Sequence, residues 1–154
     1  LNMDLHTNVG MAILDQLKKG FGLDLKQESV LMDEYIKSLS IKCRDSNQKA
    51  KALSGGNQQK VVIAKWLATK PKVLIMDEPT RGIDIGSKNQ IYALINDLAK
   101  QGIGIIMISS ELPEVLQVAN NIVVFAAGKI TGRLENKDLT QDILLDYATS
   151  QKAV

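Results

Sequence analysis

The chain has 154 residues, 45% of them hydrophobic and 23% charged, enough for one domain with its own core and unlike a disordered tract, a collagen repeat or a disulfide scaffold. Nineteen Lys and Arg against seventeen Asp and Glu give a net charge of +2, without the concentrated basic charge that would select nucleic acid or an anionic membrane.

Taken in chain order, the first 50 or so residues read as amphipathic helix. Met11, Leu14 and Leu17 form one apolar stripe, and Val30, Leu31, Ile36 and Leu39 a second, less regular one, with Gly20 and Gly22 between them. Residues 40–51 are polar and basic and read as a solvated loop. From Leu53 onward elements alternate: a helix over 57–69, a buried strand over 73–76 and a helix over 87–100. In that last helix Ile91, Leu94, Ile95 and Leu98 fall on one face, and Gly102 supplies the stop. An apolar run over 103–108 precedes a short helix at 113–118, with Pro113 in its first turn. Ile122 to Phe125 and Lys129 to Leu134 flank Ala127-Gly128 as a strand, turn and strand. Thr140 caps a final helix reaching Ala148. Continuous apolar strands between amphipathic helices predict an α/β fold whose parallel sheet is covered on both faces.

Apolar runs such as Ile122 to Ala127 stop at six residues, against the ~20 that span a bilayer. The first residues lack the basic start and apolar stretch of a signal peptide. Cys43, the single cysteine, has no internal disulfide partner, which fits a reducing compartment. It also has no adjacent base to make it a nucleophile. His6 reads as a surface histidine, with no second ligand beside it in sequence, and Trp66 reads as core, among Val62, Ile63 and Leu67.

Two segments carry chemistry. Leu53-Ser54-Gly55-Gly56-Asn57-Gln58-Gln59-Lys60 sets a hydroxyl and two glycines at the start of a helix, where unsatisfied backbone N–H groups and the helix dipole favour an anion. Val73-Leu74-Ile75-Met76-Asp77-Glu78 is an apolar strand ending in adjacent carboxylates. Consecutive strand residues point oppositely, so Asp77 and Glu78 can do different work: one holding Mg²⁺ through its waters, the other orienting or deprotonating an attacking water.

In order and spacing these motifs resemble those of the ATP-binding cassette (ABC) ATPases. Leu53 to Gln58 resembles the family's signature, Val73 to Glu78 its Walker B strand, and Gly82-Ile83-Asp84 its D-loop. Ser-Gly-Gly-Asn-Gln-Gln-Lys, Asp-Glu-Pro-Thr-Arg-Gly-Ile-Asp and the later Ser109-Ser110-Glu111 are similar to the second cassette of two-cassette bacterial sugar importers of the ribose and galactoside type. The resemblance implies a helical subdomain over 1–56 that meets a membrane permease, then the C-terminal half of the ATPase core over 57–154. It makes Met11, Leu14 and Leu17 candidates for the permease contact, with core packing as their alternative. It implies that Ser54, Gly55, Gly56, Asn57 and Gln58 contact ATP held by the first cassette of the same protein, in trans. Glu78 and Asp77 would be catalytic, with Asp77 on Mg²⁺ through water. Further implied are a sugar-binding protein outside the membrane and a peripheral position on its cytoplasmic face.

Two departures from the family pattern stand out. No Gly-x-x-x-x-Gly-Lys-Ser/Thr occurs, so the resemblance implies an incomplete P-loop NTPase: the C-terminal part of a cassette that opens on Leu1, lacks the phosphate-loop strand and does not hold ATP tightly or turn it over alone. That strand would lie between the one ending near Ile108 and the one starting near Ile122, and its absence predicts an edge that self-associates. The family's switch histidine is replaced by Ser110, too short and uncharged to act for it, and the resemblance to the sugar importers' second cassette implies that the Asp77–Glu78 site is the weaker of two. Two rivals remain. One is a DNA-repair or chromosome ATPase fragment, which sustained heptads before the signature would favour and which are missing. The other is a stand-alone, non-enzymatic module that donates its signature or regulates a permease.

Overall fold

The computed structural model describes residues 2–19 and 22–150; Gly20, one of the two expected separators, lies outside them. Thirteen regular elements follow in order: α1 (Leu5–Gly10), α2 (Leu14–Leu17), β1 (Lys18–Lys19), β2 (Gly22–Leu23), α3 (Leu25–Ser38), α4 (Gly55–Leu67), β3 (Val73–Asp77), α5 (Ile85–Lys100), β4 (Gly104–Ile108), α6 (Leu112–Val118), β5 (Asn121–Ala126), β6 (Lys129–Glu135) and α7 (Gln141–Thr149), with a 3-10 turn at Ala50–Ala52 before α4. They form two compact units, Leu1–Leu74 with Thr80–Ile106, and Ile75–Pro79 with Met107–Val154.

In the first unit α1 packs on α3 and α4, and α4 on α5. Leu5, Val9, Ile13 and Leu17 are buried at four-residue spacing, although the chain there is two short helices instead of one. Tight Ala12 N–H to Val9 O and Ile13 N–H to Gly10 O bonds close α1, and Ile13 (φ −128°, ψ 25°) leaves the helical region before α2. The expected stripe of Met11, Leu14 and Leu17 is therefore broken: Leu17 is core, while Met11 and Leu14 are exposed. In α3 the buried apolar residue is Met32, and Val30 of the expected stripe is exposed. Trp66 is also not core. The buried side of α4 runs through Gly56, Lys60, Ile63, Ala64 and Leu67, which turns Val62 and Trp66 to the other side. The indole is 50% exposed, with the Lys65 ammonium 5.4 Å from its ring centroid.

His6 is not an isolated surface histidine either. Its Nδ1 lies 3.2 Å from Glu28 Oε2 and its Nε2 3.4 Å from Asp4 Oδ1. Glu28 is 22 residues away in sequence, and the packing of α1 on α3 delivers it. Cys43 is half-buried, and burial pushes its thiol up, with the Asp45 and Asp33 carboxylates adding to the shift. A thiol held protonated is a poor nucleophile, in keeping with its reading as inert.

β3 pairs with β4. Gly104 N–H donates to Lys72 O at one end and Glu78 N–H to Ile108 O at the other, so the two strands run parallel. Coverage of both faces does not hold for this sheet: Leu74 and Met76 are buried, but Val73, Ile75, Ile106 and Ile108 are each at least half exposed. A continuous apolar run needs cover on both faces, and among the described residues only one face of β3 has it.

In the second unit β5 and β6 form an antiparallel hairpin with a register shift at Val124/Phe125. Its two-residue turn has φ 47° at Ala127 and 75° at Gly128, the left-handed pair whose twist matches a hairpin. α7 packs on β5 and β6 and meets α6. Thr140 caps it, accepting from Ile143 N–H, as the sequence predicts. Leu144 and Ile122 are buried, and Asn136 Nδ2 ties the end of the hairpin to the Leu116 and Ala119 carbonyls.

Ile91 is fully buried, so Ile91→Ala leaves a cavity and costs about 2–5 kcal/mol. Trp66→Ala removes an exposed ring and costs less than about 1 kcal/mol. Urea unfolding of the two variants beside the parent chain checks the ranking.

Candidate functional site

The signature segment and the carboxylate pair lie in different units. Each is built from its own surroundings.

Ser54, Gly55 and Gly56 open α4. Ser54 is the N-cap residue (φ −62°, ψ 156°), but its side chain makes no cap hydrogen bond. The N-caps Asp4, Asp24, Asp84 and Thr140 all accept from a first-turn amide. Instead, the Ser54 hydroxyl accepts from Asn57 Nδ2 at 2.8 Å. Asn57 Oδ1 accepts from Lys42 N–H at 2.8 Å, and Gln58 Nε2 donates to Leu53 O at 2.8 Å. Asn57 and Gln58 therefore brace the loop before α4, while Ser54 and Gly55 stay exposed. First-turn amides without a side-chain cap are free to take an external acceptor.

Gly56 is where α4 meets the next helix. A Cβ there would sit 2.5 Å from both Cβ and Oγ of Ser87. The expected D-loop residues precede that contact: Gly82 has φ 76°, Ile83 lies against Gly55, and Asp84 N-caps α5. Asp84 Oδ1 accepts from Ser87 N–H at 2.9 Å and Oδ2 from the Ser87 hydroxyl at 2.7 Å. These bonds hold the Asp84 carboxyl below the ordinary carboxylate range.

Lys60 lies on the buried side of α4, where its ammonium donates to Ser40 O and Gln90 Oε1, both at 3.0 Å. Burial pushes its pKa down, and Lys42 adds to the shift. Neither Lys60 nor Ser87 stands out in the sequence reading. The available signals are the spacing of Lys60 from Gly56 and Ala64, and the Asp-x-x-Ser pattern at 84–87.

Asp77 ends β3 exposed, and Glu78 follows half-buried. Glu78 has φ 46°, a left-handed conformation uncommon for a non-glycine residue. Its N–H donates to Ile108 O at 2.8 Å, and its Oε1 accepts from Ser110 N–H at 3.0 Å. The second unit thus brings together Glu78 and the switch position Ser110, through the main chain of Ser110.

Among the described residues no cluster of three or more His, Cys, Asp or Glu is poised for a metal. A lone exposed carboxylate at Asp77 fits a Mg²⁺ held through its waters, with the remaining oxygens coming from bound phosphates.

Residues 2–81 match the family model described as "ABC transporter". The chain belongs to the ABC transporter family. It is 46% identical over 149 residues to the ribose import ATP-binding protein RbsA of Shouchella clausii, an alignment covering 97% of this chain and 30% of that protein. It is 51% identical over 139 residues to the protein of the same name from Caldanaerobacter subterraneus subsp. tengcongensis, covering 90% and 28%. To the xylose import ATP-binding protein XylG of Geobacillus kaustophilus it is 45% identical over 152 residues, covering 99% and 30%. The chain therefore spans about 30% of the length of these relatives. Two solved structures have the same fold. One is an ATP-binding cassette of an ABC transporter, with TM-score 0.75 and 23% identity over 96% of this chain and 63% of that one. The other is a cassette in a dimeric, post-hydrolysis state bound to ADP and Pi, with TM-score 0.72 and 22% identity over 89% and 58%.

Gly56→Ala forces α4 away from Ser87 and costs about 1–3 kcal/mol. Gly55→Ala costs less, because its Cβ would meet only Ile83 Cγ2 at 3.1 Å; chemical denaturation ranks the two. The folded pKa of Asp84 lies below its unfolded value, so the cap adds stability above the ordinary carboxylate range and loses it as pH falls through the folded pKa. Asp84→Asn therefore narrows its stability gap to the parent chain below about pH 4, read from melting curves across pH.

Proposed function

We propose that this chain is the C-terminal part of the second nucleotide-binding cassette of a bacterial sugar importer, and that it donates its signature in trans to ATP held by the first cassette. The observation that carries this reading is the first turn of α4: a serine and two glycines at its start, Ser54 and Gly55 exposed, no side-chain cap, and Gly56 in close contact with Ser87. Such a turn offers backbone N–H groups to a γ-phosphate. The sugar-import names of the relatives point to the same class of transporter.

In the chain's own composite site Asp77 would hold Mg²⁺ through water, and Glu78 would orient the attacking water, its Oε1 on the Ser110 amide leaving Oε2 for the water. The metal supplies charge neutralisation at the phosphates. Ser110 offers no side chain that reaches as a histidine does, and this site is the weaker of the two. The incomplete P-loop fold of the sequence reading, without a phosphate-loop strand, belongs to this proposal, as do the helical subdomain over 1–56 and the ATPase half over 57–154. So do the partners: the first cassette, the permease subunits and, through them, a sugar-binding protein, with the chain peripheral at the cytoplasmic face. No described helix is long and apolar enough to cross a membrane. Exposed Met11 and Leu14 are the residues offered to the permease. Exposed Ile75, Ile108, Val123 and Phe125 favour self-association of this chain, and light scattering that gives a clean monomer at micromolar concentration would overturn it.

Turnover tests the reading. The chain alone shows no Mg-dependent ATPase, and activity abolished by Glu78→Gln would contradict that expectation. In the intact transporter, Ser54→Arg sets a long cation where the γ-phosphate is received and lowers transport about 10²-fold or more, while Glu78→Gln has the smaller effect. Equal losses in a sugar-uptake assay would refute the asymmetric assignment.

A further inference from the structure

Glu114 is a carboxylate only 2% exposed, in the first turn of α6, and the catalytic reading does not use it. A buried carboxylate requires hydrogen-bond donors, and one of its donors is the Ser109 hydroxyl, 2.5 Å from Oε2. Ser109 Oγ also lies 3.1 Å from Glu111 N; the amide donates there, which leaves the hydroxyl proton for Glu114. The result is a chain of bonds running from Glu111 N–H to Ser109 Oγ and on to the Glu114 carboxylate, folding residues 109–111 into a fixed turn. Between the two ends of that turn sits Ser110, whose N–H points at Glu78 Oε1, 3.0 Å away. Glu78 is held from the other side by its own N–H on Ile108 O. All of these residues lie within one compact unit.

We propose that Ser109 and Glu114 form a positioning pair that aims the Ser110 amide at the Glu78 carboxylate, so that the main chain of the switch segment, not its side chain, orients this carboxylate. The consequence for hydrolysis rests on the reading of Glu78 as the water-orienting group; the positioning itself does not. Glu78 Oε1 is committed to an amide whose place is fixed by the Ser109–Glu114 bond, and Oε2 is the oxygen left to act. Neither Ser109 nor Glu114 touches the reacting atoms, so both act through Ser110.

The test is the Ser110 amide proton, followed by NMR in the ¹⁵N-labelled chain at a single pH. In the parent chain this amide is bonded to Glu78 Oε1, so Glu78→Ala moves its resonance upfield and speeds its exchange. Ser109→Ala and Glu114→Ala shift it the same way and speed exchange of the Ser110 amide about fivefold. Ser109→Thr, which keeps the hydroxyl, and Glu114→Gln, which keeps an acceptor, leave it at the parent position. A loss of folding would disturb the β5–β6 hairpin amides as well, and if Glu114→Ala fails to fold, Ser109→Ala carries the same readout. The proposal is overturned if the Ser110 amide is unmoved by Glu78→Ala, or keeps its parent shift and exchange rate in Ser109→Ala. ATPase measurements on the assembled transporter separate this from the functional reading: Ser109→Ala lowers kcat with KM unchanged. A response of the amide without one in kcat leaves the pair standing and removes Glu78 from the chemistry.

Discussion

The parallel pairing of β3 with β4 is the constraint from which the carboxylate end of this protein follows. Its last hydrogen bond, Glu78 N–H to Ile108 O, extends the ladder one residue beyond Asp77 and carries the chain into a left-handed residue at φ 46°. A non-glycine residue adopts that conformation at a cost of order 1–3 kcal/mol. The bonds that Glu78 makes to Ile108 at the end of β4 and to Ser110 just beyond it offset part of that cost. Strand end, backbone strain and carboxylate position are therefore one feature, and the acidic group stands where the polypeptide can hold it from both sides.

The signature helix follows the opposite strategy. Where α1, α3, α5 and α7 satisfy a first-turn amide with an N-cap side chain, α4 spends its N-cap hydroxyl on Asn57. Asn57 and Gln58 instead stabilise the incoming loop through Lys42 and Leu53. The close approach of Gly56 to Ser87 and the Lys60 bonds to Ser40 and Gln90 fix the flank of the helix. The end is left open while the body is clamped, as the proposed backbone anion site demands.

Much of this was legible along the chain. The hairpin at Ala127-Gly128, the Thr140 cap, the stop at Gly102 and the helix over α5 all come from local chemistry: turn residues with positive φ, a hydroxyl reaching an amide, and apolar spacing over about two turns. Trp66 and Val73 read as core for a common reason. Both are apolar residues in apolar runs, and periodicity shows that a run is apolar without showing which of its faces is covered. His6 reads as isolated because its partner Glu28 is distant in sequence, and Lys60 does not stand out because a lysine in a polar stretch ordinarily marks a solvated face.

By itself the sequence determined the family motifs, their order, and the residue types at each: a serine and two glycines before a helix, two carboxylates after a strand, and a serine where a histidine is expected. Those are local, because spacing and residue chemistry suffice to specify them. Only the tertiary structure decided that the Ser110 amide, and not its hydroxyl, meets Glu78, that Ser109 and Glu114 brace the turn between them, and that Ser87 lies against Gly56. Each of these depends on which backbone atoms two separate elements bring within about 3 Å, and that distance is set by strand register and helix packing, which no single stretch of sequence contains.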